Sequence, residues 1–474
     1  MGERFTCRMR LCVTRQQAAE IDRRFEAARL IYNAVLGEMT RRLGLMRQSR
    51  QWQKARQGHN DKTRRNQLFG EAKKQYGFNR IEAIKYARQV VRDAFTDRLN
   101  VNDADCLAKR AFDATNRVAL GKSHSVRFKG PGRLHSLESD SPDSGIRFRS
   151  GCLLWRDLAV SVKNDHADGN HGRKHQDRLT HALGHRTCFA RLIRRRHGNQ
   201  VRYYAQLVLE GKPLPTVAAG GKTLGIDLNV SALAYAGQDA AGLLAFAPGL
   251  RDRHRHIRRV QRHLDRQRRH NNPGNYRPDG TIRPGPKRWQ ISSRMTVIKD
   301  RLSDLQRRQA DQRHNENGRI ANSVLSVGKH LKSESVSVKS WQKTWGKQIG
   351  KRAPAGCMAR IARKAESAGG YLVNFPTRST KLSQTCICGR VAKKSLSERV
   401  HLCPQCGLEM HRDLLSAYLA RFVEEGVLHA DQASLAWSGA EPHLRAAWGR
   451  YPSASAGLRP AARKGQSGSR AEVA

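Results

Sequence analysis

Between Thr385 and Asp413 the chain reads TCICGRVAKKSLSERVHLCPQCGLEMHRD, and four of its ten cysteines fall inside this stretch. No other feature restricts local folding so tightly. The segment has too few apolar residues for a core of its own, so it needs another source of folding energy, and thiolates closing on a metal supply one. Cys403-Pro-Gln-Cys406-Gly is the spacing of a zinc knuckle, two thiolates one turn apart followed by a glycine that permits a tight backbone. Cys386-Ile-Cys388-Gly is one residue shorter. In an extended strand its two side chains share a face but stand too far apart for one ion, so the backbone at Ile387 must bend sharply if both are ligands. Three arrangements are compatible with this spacing: a distorted site of Cys386, Cys388, Cys403 and Cys406, a site in which His401 or water replaces one thiolate, and a ribbon without zinc. The remaining cysteines (Cys7, Cys12, Cys106, Cys152, Cys188, Cys357) are scattered singly, which fits a reduced, cytoplasmic protein better than a disulfide framework.

The background to this cluster is strongly basic. Of 474 residues, 89 are Lys or Arg and 40 are Asp or Glu, a formal charge of +49. An enzyme of small metabolites has no use for such a field; it calls for a polyanion, nucleic acid first. A hydrophobic content of 38% supports real cores and argues against a disordered basic polymer. No apolar run approaches the ~18 residues of a membrane span, and the cations are spread along the whole chain rather than gathered for a lipid surface. The opening MGERFTCRMRLCV has no apolar segment of signal-peptide length. The length predicts two or three domains.

RFTCRMRLCV alternates like a strand, and Thr14 is placed to cap a helix on which Ile21, Phe25, Ala28, Ile31, Val35 and Met39 recur every three or four residues. A polar stretch from Arg47 to Lys62 interrupts the pattern. It resumes with Ile84, Ala87, Val91 and Phe95, then with Ala104, Leu107, Ala111 and Thr115, which predicts a basic helical bundle over about 14–122. Past residue 126 the signals become short strands. CFARLIRRR and VRYYAQLVLEG predict a hairpin whose second strand turns Val201, Tyr203, Ala205, Leu207 and Leu209 inward and Arg202, Tyr204 and Gln206 outward. KPLPTVAAGGK reads as a linker. Beyond it, strands around LGIDL and LLAF lead to LRDRHRHIRRVQRHLDRQRRH, whose Ile257, Val260 and Leu264 are too few for a core helix. This segment predicts a surface helix with Arg255, Arg258, Arg259, Arg262, Arg266 and Arg269 outward, tracking phosphates, paired across a Pro/Gly-rich loop with a helix carrying Ile298, Leu302 and Leu305. From about 432 the Ala/Gly/Ser/Pro/Arg-rich composition predicts a disordered tail.

Carboxylates are scarce enough that their positions inform. Asp227 ends the strand-like KTLGIDLN, Glu334 stands alone in HLKSESVSVKSW, and Asp413 opens HRDLLSAYLARFV near a helix N-terminus, where a carboxylate is favoured. Hydrolysis of a phosphodiester needs charge neutralised at the phosphate and a water made nucleophilic near neutral pH. Two Mg²⁺ ions about 4 Å apart, held by carboxylates, meet both needs. Taken singly, each of the three is better explained as a surface acid paired with arginine, Glu334 most of all.

The order GIDLN, an isolated Glu before W-x-K-x-x-G, APAGCMARIARKAESAGG and TKLSQTC…CPQCG…HRD resembles TnpB, the transposon-encoded RNA-guided nucleases, and the compact type V CRISPR-Cas effectors. RLIYN and VRFKGPGR resemble the N-terminal half of the same family, so the likeness spans most of the chain. It implies an α+β multidomain architecture: a wedge strand (1–13), a helical recognition domain (14–125), a β-barrel wedge domain (126–218), and an RNase H-like RuvC α/β nuclease domain. The nuclease domain would run over 219–382, be interrupted by a zinc ribbon (383–411), resume with a helix at 412–431, and be followed by the tail (432–474). It also implies Asp227, Glu334 and Asp413 as catalytic Mg²⁺ ligands, two Mg²⁺ ions, one structural Zn²⁺, and nucleic-acid contacts that include Arg127 and Lys129. The partners implied are a guide RNA and double-stranded target DNA with a short flanking motif, with the protein a monomer or an asymmetric dimer in the bacterial cytoplasm. Two other readings stay open here: a cleavage-dead RNA-guided repressor, and a transposase acting directly on transposon ends. The chain departs from the family in two places. Asn229 stands where glycine is usual, and Asn tolerates the same backbone angles; Lys332 and Ser333 make the strand before Glu334 unusually polar.

Overall fold

The computed structural model describes residues 3–57, 61–163, 170–198, 200–215, 217–248, 253–395 and 398–451. The chain divides after Leu214 into two compact units.

The first unit opens with β1 (Arg4–Arg10) and continues through five helices: α1 (Arg15–Gln48), α2 (Arg50–Arg56), α3 (Lys62–Gln75), α4 (Arg80–Ala94) and α5 (Val101–Ala119). Thr14 caps α1 reciprocally with Gln17: the Thr14 hydroxyl accepts the Gln17 N–H, and the Gln17 side chain accepts the Thr14 N–H. All six periodic residues of α1 are buried, at 1% exposure or less. Within the polar interval after residue 47, Arg50–Arg56 is helical, and helix resumes at Lys62. Ser49 and Asp61 cap α2 and α3, and Trp52 buries its ring edge-on against Phe69, 4.7 Å between centroids. Sparse apolar residues hid these helices, because only Trp52, Ala55 and Ala72 are buried in them.

Then follow β2 (Ser136–Glu138), β3 (Ile146–Arg149), β4 (Cys152–Trp155), β5 (Leu158–Ser161), α6 (Asn170–Leu183), β6 (Thr187–His197) and β7 (Gln200–Glu210). They make a four-stranded sheet in the order β1-β7-β6-β2 and a three-stranded one, β3-β4-β5. Tyr203, Ala205, Leu207 and Leu209 face the core as predicted, while Val201 is exposed at the hairpin end. Among the described residues the strands close no barrel: β1 and β2 are the two edges of the larger sheet, which meets the smaller one by the single bridge Leu11–Val162.

The second unit begins with a meander, β8 (Lys222–Leu228), β9 (Ala232–Ala236) and β10 (Ala241–Ala245). The hairpin α7 (His254–Asn271) and α8 (Ser293–Val327) follows, then β11 (Gly328–Glu334), α9 (Val338–Arg352), α10 (Pro354–Ser367) and β12 (Tyr371–Phe375). The sheet order is β10-β9-β8-β11-β12, antiparallel through the meander and parallel from β8 to β12. Leu224, Ile226 and Leu228 of β8 point to one face, against α8 and α10 through Val324, Leu325 and Ile361. Because strand side chains alternate, Gly225 and Asp227 point to the other.

That other face is covered by the chain's last third. After the short α11 (Thr377–Thr380), the hairpin β13 (Val400–Leu402) and β14 (Glu409–His411) leads directly into α12 (Arg412–Ala420). The small hairpin of β15 (Val423–Glu424) and β16 (Val427–Leu428), α13 (Ala430–Leu435) and α14 (Trp437–Arg450) complete it. The predicted tail is thus helical to residue 450. Trp437, Ala440, Leu444 and Ala447 recur at helical spacing and are buried in the same core as α12, a periodicity that the Ala/Gly-rich composition masked. The remainder of that tail lies outside the described residues. No helix among the described residues is long and apolar enough to cross a membrane.

Candidate active site and metal centre

β8 and β11 are parallel neighbours, with Ser333 registered on Ile226, so Asp227 and Glu334 lie side by side at the C-terminal edge of the sheet. α12 brings the third carboxylate over this edge. Its approach depends on Gly225: a Cβ built there lies 1.9 Å from the Ala417 carbonyl oxygen and 3.0 Å from the Arg421 nitrogen, so only glycine admits the helix so close. Asp413 sits in the first turn of α12, where its own N–H is hydrogen-bonded to His411 Nδ1 at 3.2 Å. Burial holds the His411 imidazole below its usual range, against the attraction of Asp413, and a neutral ring nitrogen can accept that bond.

Asp227 lies within the field of the other two carboxylates. Burial, with the charges of Asp413 and Glu334 beside it, pushes the Asp227 carboxyl well above the usual range, and Arg412 and Arg399 offset this only in part. Glu334 is also raised by burial, although the Thr380 hydroxyl (3.0 Å) and the Leu382 N–H (3.4 Å) donate to it. Asp413 lies 3.6 Å from Arg399 Nη1 and 3.5 Å from Arg412 Nε. Such a concentration of like charge is relieved by divalent cations, and the donors are hard carboxylate oxygens that suit Mg²⁺; the three do not all lie within 4.8 Å of one another, so they line an open site and not a closed cage around one ion.

Two departures from the family pattern acquire reasons. Asn229 does not use a left-handed backbone. Its Oδ1 accepts the Val230 N–H at 2.7 Å, which turns its Nδ2 to donate to Asp413 Oδ2 at 2.9 Å. Lys332 reaches past the sheet and donates to the carbonyls of Arg421 (3.0 Å) and Val423 (2.9 Å), satisfying orphan groups just after α12. The sequence carries the unusual residue in each case, but no signal of its partner.

The four cysteines are the only group of three or more Cys, His, Asp or Glu ligand atoms drawn within 4.8 Å of one another among the described residues. Sγ–Sγ distances are 3.5 Å for Cys386–Cys406 and 3.7 Å for Cys388–Cys403. Four sulfurs at about 2.3 Å from one ion form a tetrahedron with edges of about 3.8 Å, so the set fits Zn²⁺. The short half is a contracted copy of the normal one. In the second knuckle Cys403 N–H bonds Leu408 O and Gly407 N–H bonds Cys403 O; in the first, Cys386 N–H bonds Arg390 O and Gly389 N–H bonds Cys386 O, each closing one residue earlier. Gly389 (φ 83°) and Gly407 (φ 71°) make both turns. Burial opposes ionisation of Cys403, but the N–H groups of Cys406 and Gln405 outweigh it and bring that thiol down to about 6. His401 is not in the cluster. Its Nδ1 faces the Lys394 ammonium, and burial with that charge lowers it to about 4.

Of the predicted nucleic-acid contacts, Arg255, Arg258, Arg259, Arg262, Arg266 and Arg269 are all exposed along α7, whose Ile257 and Val260 are buried. Arg127 is exposed as well. Lys129 is less free, since its ammonium lies 5.6 Å from the Tyr32 ring and its backbone is held by Arg29 and Asn33.

Two family models match the chain: the Cas12f1-like TNB domain over residues 357–419, and the helix-turn-helix domain of the OrfB IS605 type over 1–45. The first spans α10, β12, the cysteine ribbon and most of α12. In the second, the described residues form β1 and α1, one strand and one long helix. No curated protein matches. Among solved structures, similarity is found to a Cas12f1–sgRNA–target DNA complex, with 11% identity over 88% of this chain and 98% of that one and a TM-score of 0.44. It is also found to the mini-RNA-guided endonuclease CRISPR-Cas_phi3, with 9% identity over 92% and 93% and a TM-score of 0.35. The resemblance read from the motifs stands: at both its N-terminus and its ribbon the chain matches domains of the TnpB and compact type V effector family.

Proposed function

We propose that the chain is an RNA-guided DNA endonuclease whose single nuclease site is formed by Asp227, Glu334 and Asp413. The observation that carries this reading is the convergence of three carboxylates, from β8, β11 and α12, at one edge of a mixed sheet in a chain of formal charge +49. The strand order β10-β9-β8-β11-β12, antiparallel and then parallel, supports reading this unit as an RNase H-like domain with the ribbon inserted ahead of the Asp413 helix. Bound Mg²⁺ supplies charge neutralisation at the scissile phosphate and an activated water. The protein's own residues hold the geometry: Gly225 lets α12 approach, Asn229 orients Asp413, Thr380 and Leu382 N–H fix Glu334, and the ribbon, closed by Zn²⁺, sets the start of α12. The arginines of α7 follow the backbone of the guide or its heteroduplex, and base pairing with the guide selects the target beside a short flanking motif. A carboxylate set complete in all three members favours cleavage over binding alone.

The test is cleavage of a guide-matched duplex by purified ribonucleoprotein before and after Asp227→Ala. Cutting that survives the change refutes the site. Cutting by neither, with target binding intact, favours a binding-only protein, and strand transfer without bound RNA favours a transposase.

A further inference from the structure

Residues 272–292, between α7 and α8, contribute almost nothing to a core, since only Asn272 is buried. The loop is nevertheless built to one shape. Asn272 Nδ2 donates to Arg268 O (3.0 Å) and Gln290 O (3.1 Å), while its Oδ1 accepts Gln290 N–H (2.6 Å). Further out, Asn275 Nδ2 donates to Arg288 O (2.9 Å) and Arg283 N–H to Asn275 O (3.0 Å). Tyr276 and Ile282 form an antiparallel bridge closed by a turn at Gly280, φ 78°.

On this frame Arg277, Arg283 and Arg288 are exposed, and Arg294 follows them at the start of α8. The one acid, Asp279, is occupied by the Thr281 hydroxyl (2.7 Å) and N–H (2.8 Å). Beside the cations, Trp289 lies 6.0 Å from Tyr276, and the Arg268 guanidinium stacks 3.9 Å from the Trp289 ring centroid. A segment needed only for solubility does not require pinned legs or partly exposed rings. Fixed cations next to ring surface suit a strand whose phosphates and base faces are both accessible; a duplex hides its base faces.

We propose that the 272–292 loop is a nucleic-acid surface beyond the end of the α7 arginine stripe, whose last member Arg269 packs on Tyr276, holding a single-stranded segment with its phosphates on Arg277, Arg283 and Arg288 and an unpaired base against Trp289. The proposal uses no carboxylate and no metal, so it stands or falls apart from the nuclease reading.

The test is binding of labelled single-stranded oligouridylate, oligothymidylate and a duplex DNA of equal length to the full-length protein, without added Mg²⁺, across a salt series. Replacing Arg277, Arg283 and Arg288 by Gln lowers single-strand affinity and reduces the slope of log affinity against log salt by about 2, three contacts at roughly 0.7 each. Trp289→Ala weakens single-strand binding about tenfold with an unchanged slope, and Trp289→Phe restores most of it. Duplex affinity stays within about twofold throughout, well short of the stacking loss. A larger loss on RNA assigns the site to a guide segment, a larger loss on DNA to an opened strand, and an equal loss to either sugar. Unchanged single-strand affinity and slope in both variants overturn the proposal, as does an equal loss on the duplex.

Discussion

Gly225→Ala tests whether the distance between β8 and α12 sets the site. The added methyl meets the Ala417 carbonyl oxygen at 1.9 Å and Ala420 Cβ at 2.9 Å, and contacts shorter than 3.0 Å are essentially never seen. The first obstacle is helix backbone, which cannot rotate away as a side chain can. Reaching 3.0 Å therefore moves strand or helix by at least about 1 Å. Overpacking of this kind costs about 1–3 kcal/mol. In a unit of this size each kcal/mol lowers Tm by about 2–4 °C. The functional effect is larger, because the shift separates Asp227 from Asp413, and a misplacement of about 1 Å costs on the order of a hundredfold in rate. The assay compares guide-matched DNA cleavage with guide-RNA affinity and Tm. Cleavage falls about a hundredfold while RNA affinity holds, since the α7 arginines and the 272–292 loop lie on other elements. Cleavage within about threefold of the parent, or a loss no larger than the unfolded fraction explains, refutes the reasoning.

Asp227→Asn abolishes cleavage yet stabilises the metal-free protein in a pH-dependent way. The folded-state pKa of Asp227 lies above its unfolded value, so ionising it costs folding free energy that is absent below about pH 4 and grows as pH rises toward the folded pKa. Thermal melts without Mg²⁺ should show the variant more stable than the parent at pH 7.5 and equal to it near pH 3.5; equal stability at both removes the electrostatic account. Asn229→Ala frees Asp413 to turn toward Arg399 and Arg412, raising the Mg²⁺ concentration for half-maximal cleavage several-fold with little change at saturation; a uniform loss at all Mg²⁺ concentrations marks a structural role instead. Metal analysis should find one zinc per chain, lost in Cys388→Ser with a lower Tm; full zinc content in that variant shows that the short half-site is not a ligand.

Much of the architecture is legible in residue order because periodicity reports burial directly. The α1 stripe from Ile21 to Met39 and the inward residues of β7 needed no tertiary information. Periodicity fails where an element is held by few contacts: α2 and α3 are stabilised by caps and one aromatic pair, and α14 by four residues in a composition that suggests disorder. Closure of the strands of the first unit is likewise not encoded in their alternation, which fixes faces but not edge partners.

The site divides the same way. Residue type and spacing alone determined which groups are candidates: three scarce carboxylates, four cysteines in two Cys-Gly halves, and an arginine face with too few apolar residues to be core. Only the tertiary structure decided how they meet. Whether C-x-C could hold a metal depended on a turn closing one residue early at Gly389. What Asn229 and Lys332 do depended on α12 lying over β8, far along the chain from either. The cysteine ribbon and the three carboxylates become one assembly because β14 runs without a gap into α12 and delivers Asp413 to Asp227. A sequence specifies donors and local turns, whereas the electrostatic pressure among three carboxylates exists only once three separated segments share one sheet edge.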